Sequence, residues 1–261
     1  MSKFEKGIIT ISVDDGRKDA YHLAQEVLPK YNIPATFNIT TAFVDKTNSG
    51  KTGSITLQEL KEMYNNPLVE IAGHGHAHKN DDDDIILGRG LLYEWLKIKD
   101  EAIGFASPGS GLKNNHIKEN AKKLRDMGYL YIRSGISVEE PTLQHEKVKE
   151  RIKEIAISDY VINNVNQLSY GFNSMCVNSV IVFNYTSVEE LKQLVDIAAS
   201  EKACLTFMFH GITKDGEADP DNLWCFSFDK FLEFAEYLVE KREKGEIEIL
   251  TTKEAYLKGE Q

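Results

Sequence analysis

The sequence predicts an α/β protein, a parallel sheet or barrel with helices outside, and three observations lead there. Short apolar runs alternate along nearly the whole chain with stretches of period 3.6, the pattern of repeated βα units. The length, 261 residues, is long for one domain but ordinary for an α/β barrel. Three of the apolar runs stop at Asp or His residues, as strands do at the rim of a site. Right-handed crossovers between successive strands then place the helices on the outside.

The elements follow in order. Strands are expected at 8–13, 35–39, 69–72, 102–106, 129–133, 180–183, 203–209 and 246–250. Helices are expected at 18–31, 57–64, 84–99, 115–127, 188–200 and 228–244. Thr56 precedes Glu59 by three residues and Ser187 precedes Glu190 by three, the spacing of a capping box at a helix start. Gly128 and Gly245 stand where a helix end favours a left-handed residue. Residues 43–53 and 141–171 show neither period clearly, although 146–155 is helix-like and Asn48-Ser49-Gly50 suggests a loop. There is no internal repeat and no Pro- or Ser-rich linker, so residues 1–261 read as a single domain.

Composition narrows the function. A hydrophobic fraction of 41% with 28% charged residues describes a soluble globular chain. The net charge of −10 argues against a nucleic-acid partner. Cys176, Cys204 and Cys225 are well separated and form no CxxC pair, so a disulfide framework is not expected. Cys204, inside an apolar run, reads as a small core residue. Residues 1–7 lack the apolar region of a signal peptide and no segment is long enough to span a bilayer, so the chain as written is expected to be cytoplasmic.

The chemistry gathers at the strand ends. Adjacent strand residues point to opposite faces, so Asp14 and Asp15 serve one site only where the chain bends, and Gly16 permits the bend. Two carboxylates this close repel, and a cation shared with nearby imidazoles relieves the repulsion. A solvated turn or helix N-cap would use the same residues. His74 and His78 are four apart, a spacing suited to a ligand pair, and Gly73 and Gly75 point to a loop after a strand. A His-rich surface loop is the competing reading; the preceding apolar strand favours metal. His76 between them is a candidate third ligand, but its two-residue offset from both better suits a solvent-facing or supporting role. His210, closing an apolar strand before Gly211, is placed to reach a cleft, with a reference pKa suited to proton transfer.

Ser12-Val13-Asp14-Asp15-Gly16, His74 with His78, Phe105-Ala106-Ser107-Pro108-Gly109 and Phe207-Met208-Phe209-His210, in that order, resemble the motifs of the polysaccharide deacetylases, carbohydrate esterase family 4 or the NodB-homology domain. The resemblance runs from the first strand to beyond His210; its first two motifs together are specific, its last two degenerate. It implies a distorted (β/α) barrel of seven or eight parallel strands, similar to a TIM barrel. It also implies metal-dependent removal of acetyl groups from an N-acetylated sugar or oligosaccharide. Position by position, it implies that Asp15, His74 and His78 bind one divalent metal ion, with zinc expected, that Asp14 is the general base and that His210 is the general acid.

The chain departs from the family pattern in its third motif. Ala106 stands where the family has the Arg that orients the base, and Gly109 stands where it has Tyr. Arg133, ending the next strand, is the candidate to replace the missing Arg, with a structural ion pair as its alternative role. Trp224 and Phe226 are candidates for a new apolar wall. Two other functions are compatible with these residues: the same metal site acting on a non-sugar amide or cyclic imide, and a barrel that binds carbohydrate without catalysis. Asp81 to Asp84 read as a solvated helix start. Asp215, Glu217, Asp219 and Asp221 form an acidic loop without EF-hand spacing. His22, His116 and His145 read as surface residues.

Overall fold

A computed structural model describes residues 2–46, 53–99, 101–112, 117–135, 141–153, 158–172, 175–214 and 222–260. Seven parallel strands close into a barrel: β1 (Gly7–Val13), β2 (Ala35–Ile39), β3 (Val69–Gly73), β4 (Ile103–Ala106), β5 (Tyr129–Ser134), β6 (Cys176–Ile181) and β7 (Cys204–Phe209). Each pairs with the next, and β7 returns to β1 in register from Ile8↔Cys204 to Val13↔Phe209. The expected distorted (β/α) barrel is the observed fold.

The distortion has a definite location. On its other edge β1 meets β2 only at Ser12↔Thr36 and Val13↔Phe37, while an eighth strand, β10 (Ile247–Leu250), pairs with it from Gly7 to Thr10. The last helix, α10 (Thr252–Glu260), starts beside that opening. Its first backbone N–H groups, which no helical carbonyl can satisfy, donate to Thr36 Oγ1 at 2.9 Å and to Glu70 Oε2 at 2.9 Å. Thr36 and Tyr131 also donate to Glu70, at 2.7 and 2.8 Å.

Helices wrap the barrel between strands: α1 (Lys18–His22), α2 (Leu28–Tyr31), α3 (Leu57–Tyr64), α4 (Asp82–Leu96), α5 (Ile117–Asp126), α6 (Leu143–Lys153), α7 (Asp159–Asn164), α8 (Val188–Glu201) and α9 (Phe228–Glu243). They bury their apolar stripes on the outer face of the strands. Phe207 of β7, for example, meets Phe234 of α9 edge-on at 5.2 Å, and Phe209 meets Phe231 at 5.3 Å. The capping boxes at Thr56 and Ser187 form with both reciprocal bonds, and Gly128 and Gly245 adopt φ of 87° and 74°.

Several sequence expectations need correction. The helix expected over 18–31 is broken by a π-helical turn, Leu23–Val27, just before Pro29, which has no N–H to continue the α ladder. The strand expected at 180–183 is instead Cys176–Ile181, because Asn178 and Ser179 are buried polar strand residues that an apolar run cannot reveal. Within 141–171 lie α6 and α7, and a short parallel ribbon, β8 (Gly211–Thr213) with β9 (Cys225–Ser227), was not anticipated. His145 is buried rather than on the surface. Its Nε2 bonds the Leu168 carbonyl at 2.9 Å, and its Nδ1 accepts from the Thr142 N–H at 2.9 Å. Cys204 is buried in the core as expected. His116 and Asp215, Glu217, Asp219 and Asp221 lie outside the described residues.

Candidate active site

At the C-terminal end of β1 the chain turns sharply. Asp14 N–H still donates to Phe209 O at 2.9 Å, continuing the ladder, but Asp15 has φ 76° and Gly16 φ 72°. This turn lets both neighbouring carboxylates line one cavity. Left-handed backbone at a non-glycine residue costs about 1–3 kcal/mol and persists where surrounding structure enforces it. His78 shares the feature, with φ 61°.

The segment carrying the histidines is held from below by one carboxylate. Asp84, in the first turn of α4, accepts the backbone N–H groups of His76 at 2.9 Å, Ala77 at 2.6 Å and Lys79 at 3.1 Å. Gly75, at φ 74°, passes so close that a Cβ there would stand 2.4 Å from Asp84 Oδ2. The solvated helix start expected at 81–84 is therefore corrected: Asp81 is the N-cap, but Asp84 is buried and organises the histidine loop. Asp84→Ala removes the acceptor for three N–H groups. Its expected result is a 10- to 100-fold (order of magnitude) loss of metal affinity at unchanged ligand residues, read by titration with zinc.

Asp15, His74 and His78 come together. Their ligand atoms all lie within 4.8 Å of one another, with Asp15 Oδ1 at 3.5 Å from both His74 Nε2 and His78 Nε2. A tetrahedral ion with bonds of about 2.1 Å sets its ligand atoms about 3.4 Å apart, so the two Asp15–His spacings fit a shared cation. His74 Nδ1–H donates to Ala106 O at 2.8 Å, leaving the Nε2 lone pair facing inward. His74 Nε2 and Asp15 Oδ1 are buried without a hydrogen-bond partner, an arrangement a cation would satisfy. Burial raises the Asp15 pKa against the pull of His74, with Asp14 adding to the rise, and burial lowers that of His74. His76 stays apart, its Nδ1 3.0 Å from Thr41 Oγ1.

Arg133 reaches Asp14. It is the register partner of Ala106 across β4 and β5, at the end of the neighbouring strand. The guanidinium bonds Asp14 Oδ1 through one nitrogen and Met208 Sδ at 2.6 Å through another. Asn38, which the sequence reading missed, donates to the same Asp14 oxygen at 2.8 Å and to Ser12 Oγ at 2.7 Å. Burial works to raise the Asp14 pKa. Arg133, with His74 and His210, overcomes it and holds the carboxyl at about 2.

His210 faces the same cavity of about 300 Å³, which also includes Arg17, Ser107, Gly109, Met208 and Trp224 in its wall. Burial, with help from Arg133 and Arg17 against Asp14, pushes its pKa down to about 4. The Trp224 ring lies 4.5 Å from the His210 ring, as part of the wall, whereas Phe226 is buried in the core against Phe209. Gly109 leaves open space where a Tyr would stand. Arg17 was also missed. Its Nε and one terminal nitrogen grip Asp19 at 3.0 and 2.6 Å, and Gly211 makes room for the pair. Its ion-pair partner Asp19 is two residues away, while Gly211 and Cys225, which it also meets, come from the other end of the chain.

The family model for polysaccharide deacetylase matches residues 2–200. The chain belongs to the polysaccharide deacetylase family. Within that family it is 35% identical over 187 residues to the poly-beta-1,6-N-acetyl-D-glucosamine N-deacetylase of Staphylococcus epidermidis, covering 66% of this chain and 62% of that one. It is 40% identical over 78 residues to the Staphylococcus aureus protein of the same name, covering 30% of this chain. The matched segment spans only 27% of the S. aureus relative. Among solved structures, a family 4 acetyl xylan esterase from Clostridium thermocellum in complex with a cobalt ion aligns with TM-score 0.50 at 12% identity, covering 97% of this chain and 93% of that one. A mutant family 4 pseudoenzyme with restored activity aligns with TM-score 0.53 at 13% identity, covering 97% and 68%. Both support the polysaccharide deacetylase fold.

Proposed function

We propose that the chain is a zinc-dependent deacetylase that removes acetyl groups from an N-acetylated sugar polymer. The observation that carries this reading is the convergence of Asp15, His74 and His78 on one point, with Asp14 and His210 in the same cavity. The likeness to the staphylococcal poly-beta-1,6-N-acetyl-D-glucosamine N-deacetylases favours poly-β-1,6-N-acetylglucosamine as the substrate.

Asp15, His74 and His78 would hold the ion; bound there, zinc polarises the acetyl carbonyl and lowers the pKa of water towards roughly 7. Asp14, kept ionised by Arg133 and aimed by Asn38, takes a proton from the attacking water. The water oxygen bonds to the acetyl carbon, the C–N bond breaks, and acetate and a sugar amine form. His210, in the same cavity, delivers a proton to the departing nitrogen.

The zinc-loaded chain incubated with β-1,6-linked N-acetylglucosamine oligomers is expected to release acetate and free amine in equal amounts. Zinc bound with neither product formed would overturn this substrate.

A further inference from the structure

Seven large apolar side chains are exposed among the described residues; one of them, Trp224, lines the catalytic cavity, and Tyr185 and Leu223 lie on the two segments joined beside it. Soluble proteins seldom expose contiguous apolar surface without a use for it. Here the rings form a row. From the cavity wall, His210 meets Trp224 at 4.5 Å, Trp224 meets Phe183 at 5.3 Å, and Phe183 stacks on Tyr185 at 5.2 Å with 16° between planes. Trp224 is 39% exposed and Tyr185 65%, with Phe183 half-buried between them.

The row is built on tied backbone. Phe183 and Tyr185 lie on the connection from β6 to α8, and Trp224 immediately precedes β9. Asn184 N–H donates to Leu223 O at 2.9 Å, joining the two segments. Lys230 Nζ reaches the carbonyls of Asn184 and Thr186 at 3.4 and 3.3 Å, and Thr186 Oγ1 accepts the Phe183 N–H at 3.1 Å. Rings held this way lose little freedom when a ligand settles on them, which is how Tyr and Trp supply contact area at low entropic cost.

We infer that Trp224, Phe183 and Tyr185 form an extended subsite for successive pyranose rings of a glycan chain whose reacting unit occupies the cavity. The inference rests on the deacetylase reading for what fills the cavity. Pyranose rings present apolar C–H faces and hydroxyl edges. A file of aromatic rings leading away from the cavity fits the faces. Continuity with the cavity favours the same glycan over a separate partner. The protein therefore prefers oligomers to single sugars.

The test compares kcat/KM for acetate release from the monomer, dimer, tetramer and hexamer of β-1,6-linked N-acetylglucosamine. The value is expected to climb with length. Tyr185→Ala is expected to lower the hexamer-to-monomer ratio about three- to tenfold, the scale of one aromatic contact. Tyr185→Phe, which keeps the ring, retains the ratio, and so does Leu143→Ala at an exposed site elsewhere. Equal values for monomer and hexamer, or a wild-type ratio in Tyr185→Ala, overturn the inference and leave the row to a protein or membrane partner. If no oligomer releases acetate, the deacetylase reading falls, and calorimetric binding of the hexamer still decides the subsite. Binding about three- to tenfold weaker in Tyr185→Ala supports it; unchanged affinity overturns it.

Discussion

Asp14→Asn is expected to lower kcat for acetate release by about 10²- to 10⁴-fold, the usual contribution of a positioned general base. The amide cannot take a proton from water, yet it nearly reproduces the shape of the carboxylate and still accepts from Arg133 and Asn38. Zinc content should stay at the wild-type level, because Asp14 lies outside the close Asp15, His74 and His78 cluster. That separation is the informative part. Loss of turnover with metal retained assigns Asp14 to proton transfer, whereas parallel loss of both would make it a ligand and remove the base from the mechanism. Single-turnover acetate release alongside elemental analysis of the same preparation distinguishes the two.

Arg133→Ala should have the largest effect on stability. Both partners of this pair are 1–3% exposed, and removing one leaves a buried charge uncompensated, at about 3–5 kcal/mol. The pH dependence gives the sign. In the wild type, Asp14 has its pKa depressed from 3.8 to about 2, so its contribution to stability is present above 3.8 and is lost as pH falls through about 2. Without Arg133, burial acts with less opposition and drives the Asp14 pKa upward. The deficit of Arg133→Ala in urea unfolding is therefore largest near neutrality and narrows in acid, where Asp14 takes a proton. A deficit that stays constant from pH 7 to pH 3 would assign Arg133 to packing alone. Arg133→Lys restores the charge but not the two-pronged contact with Asp14 and Met208, so it recovers only part of the loss.

The strand ends were legible because their chemistry is local. An apolar run that stops at Asp14-Asp15-Gly16, or at His210-Gly211, marks both the end of a strand and the group it delivers. The capping boxes at Thr56 and Ser187 were legible for the same reason. What escaped depends on partners distant in sequence. Asp84 looked like one more acid in a solvated run until the loop from His76 to Lys79 folded over it. His145 became a buried residue only because Leu168 supplies a carbonyl. Asn38 acquires its role from β1, and the Arg17–Asp19 pair, though local in sequence, fits its place only because Gly211 makes room for it. Arg133 lies between these cases: its place at a strand end was readable, but only the register of β4 against β5 shows that it stands opposite Ala106.

The central claim is that Asp15, His74 and His78 hold one ion. Its most direct test is zinc stoichiometry after exhaustive chelation and reloading, measured on the wild type, Asp15→Ala, His74→Ala and His78→Ala, with folding checked by circular dichroism. One zinc per wild-type chain, and loss of that zinc in each folded variant, is the predicted result. A wild type that takes up no zinc, or folded variants that each bind a full equivalent as tightly, would contradict it.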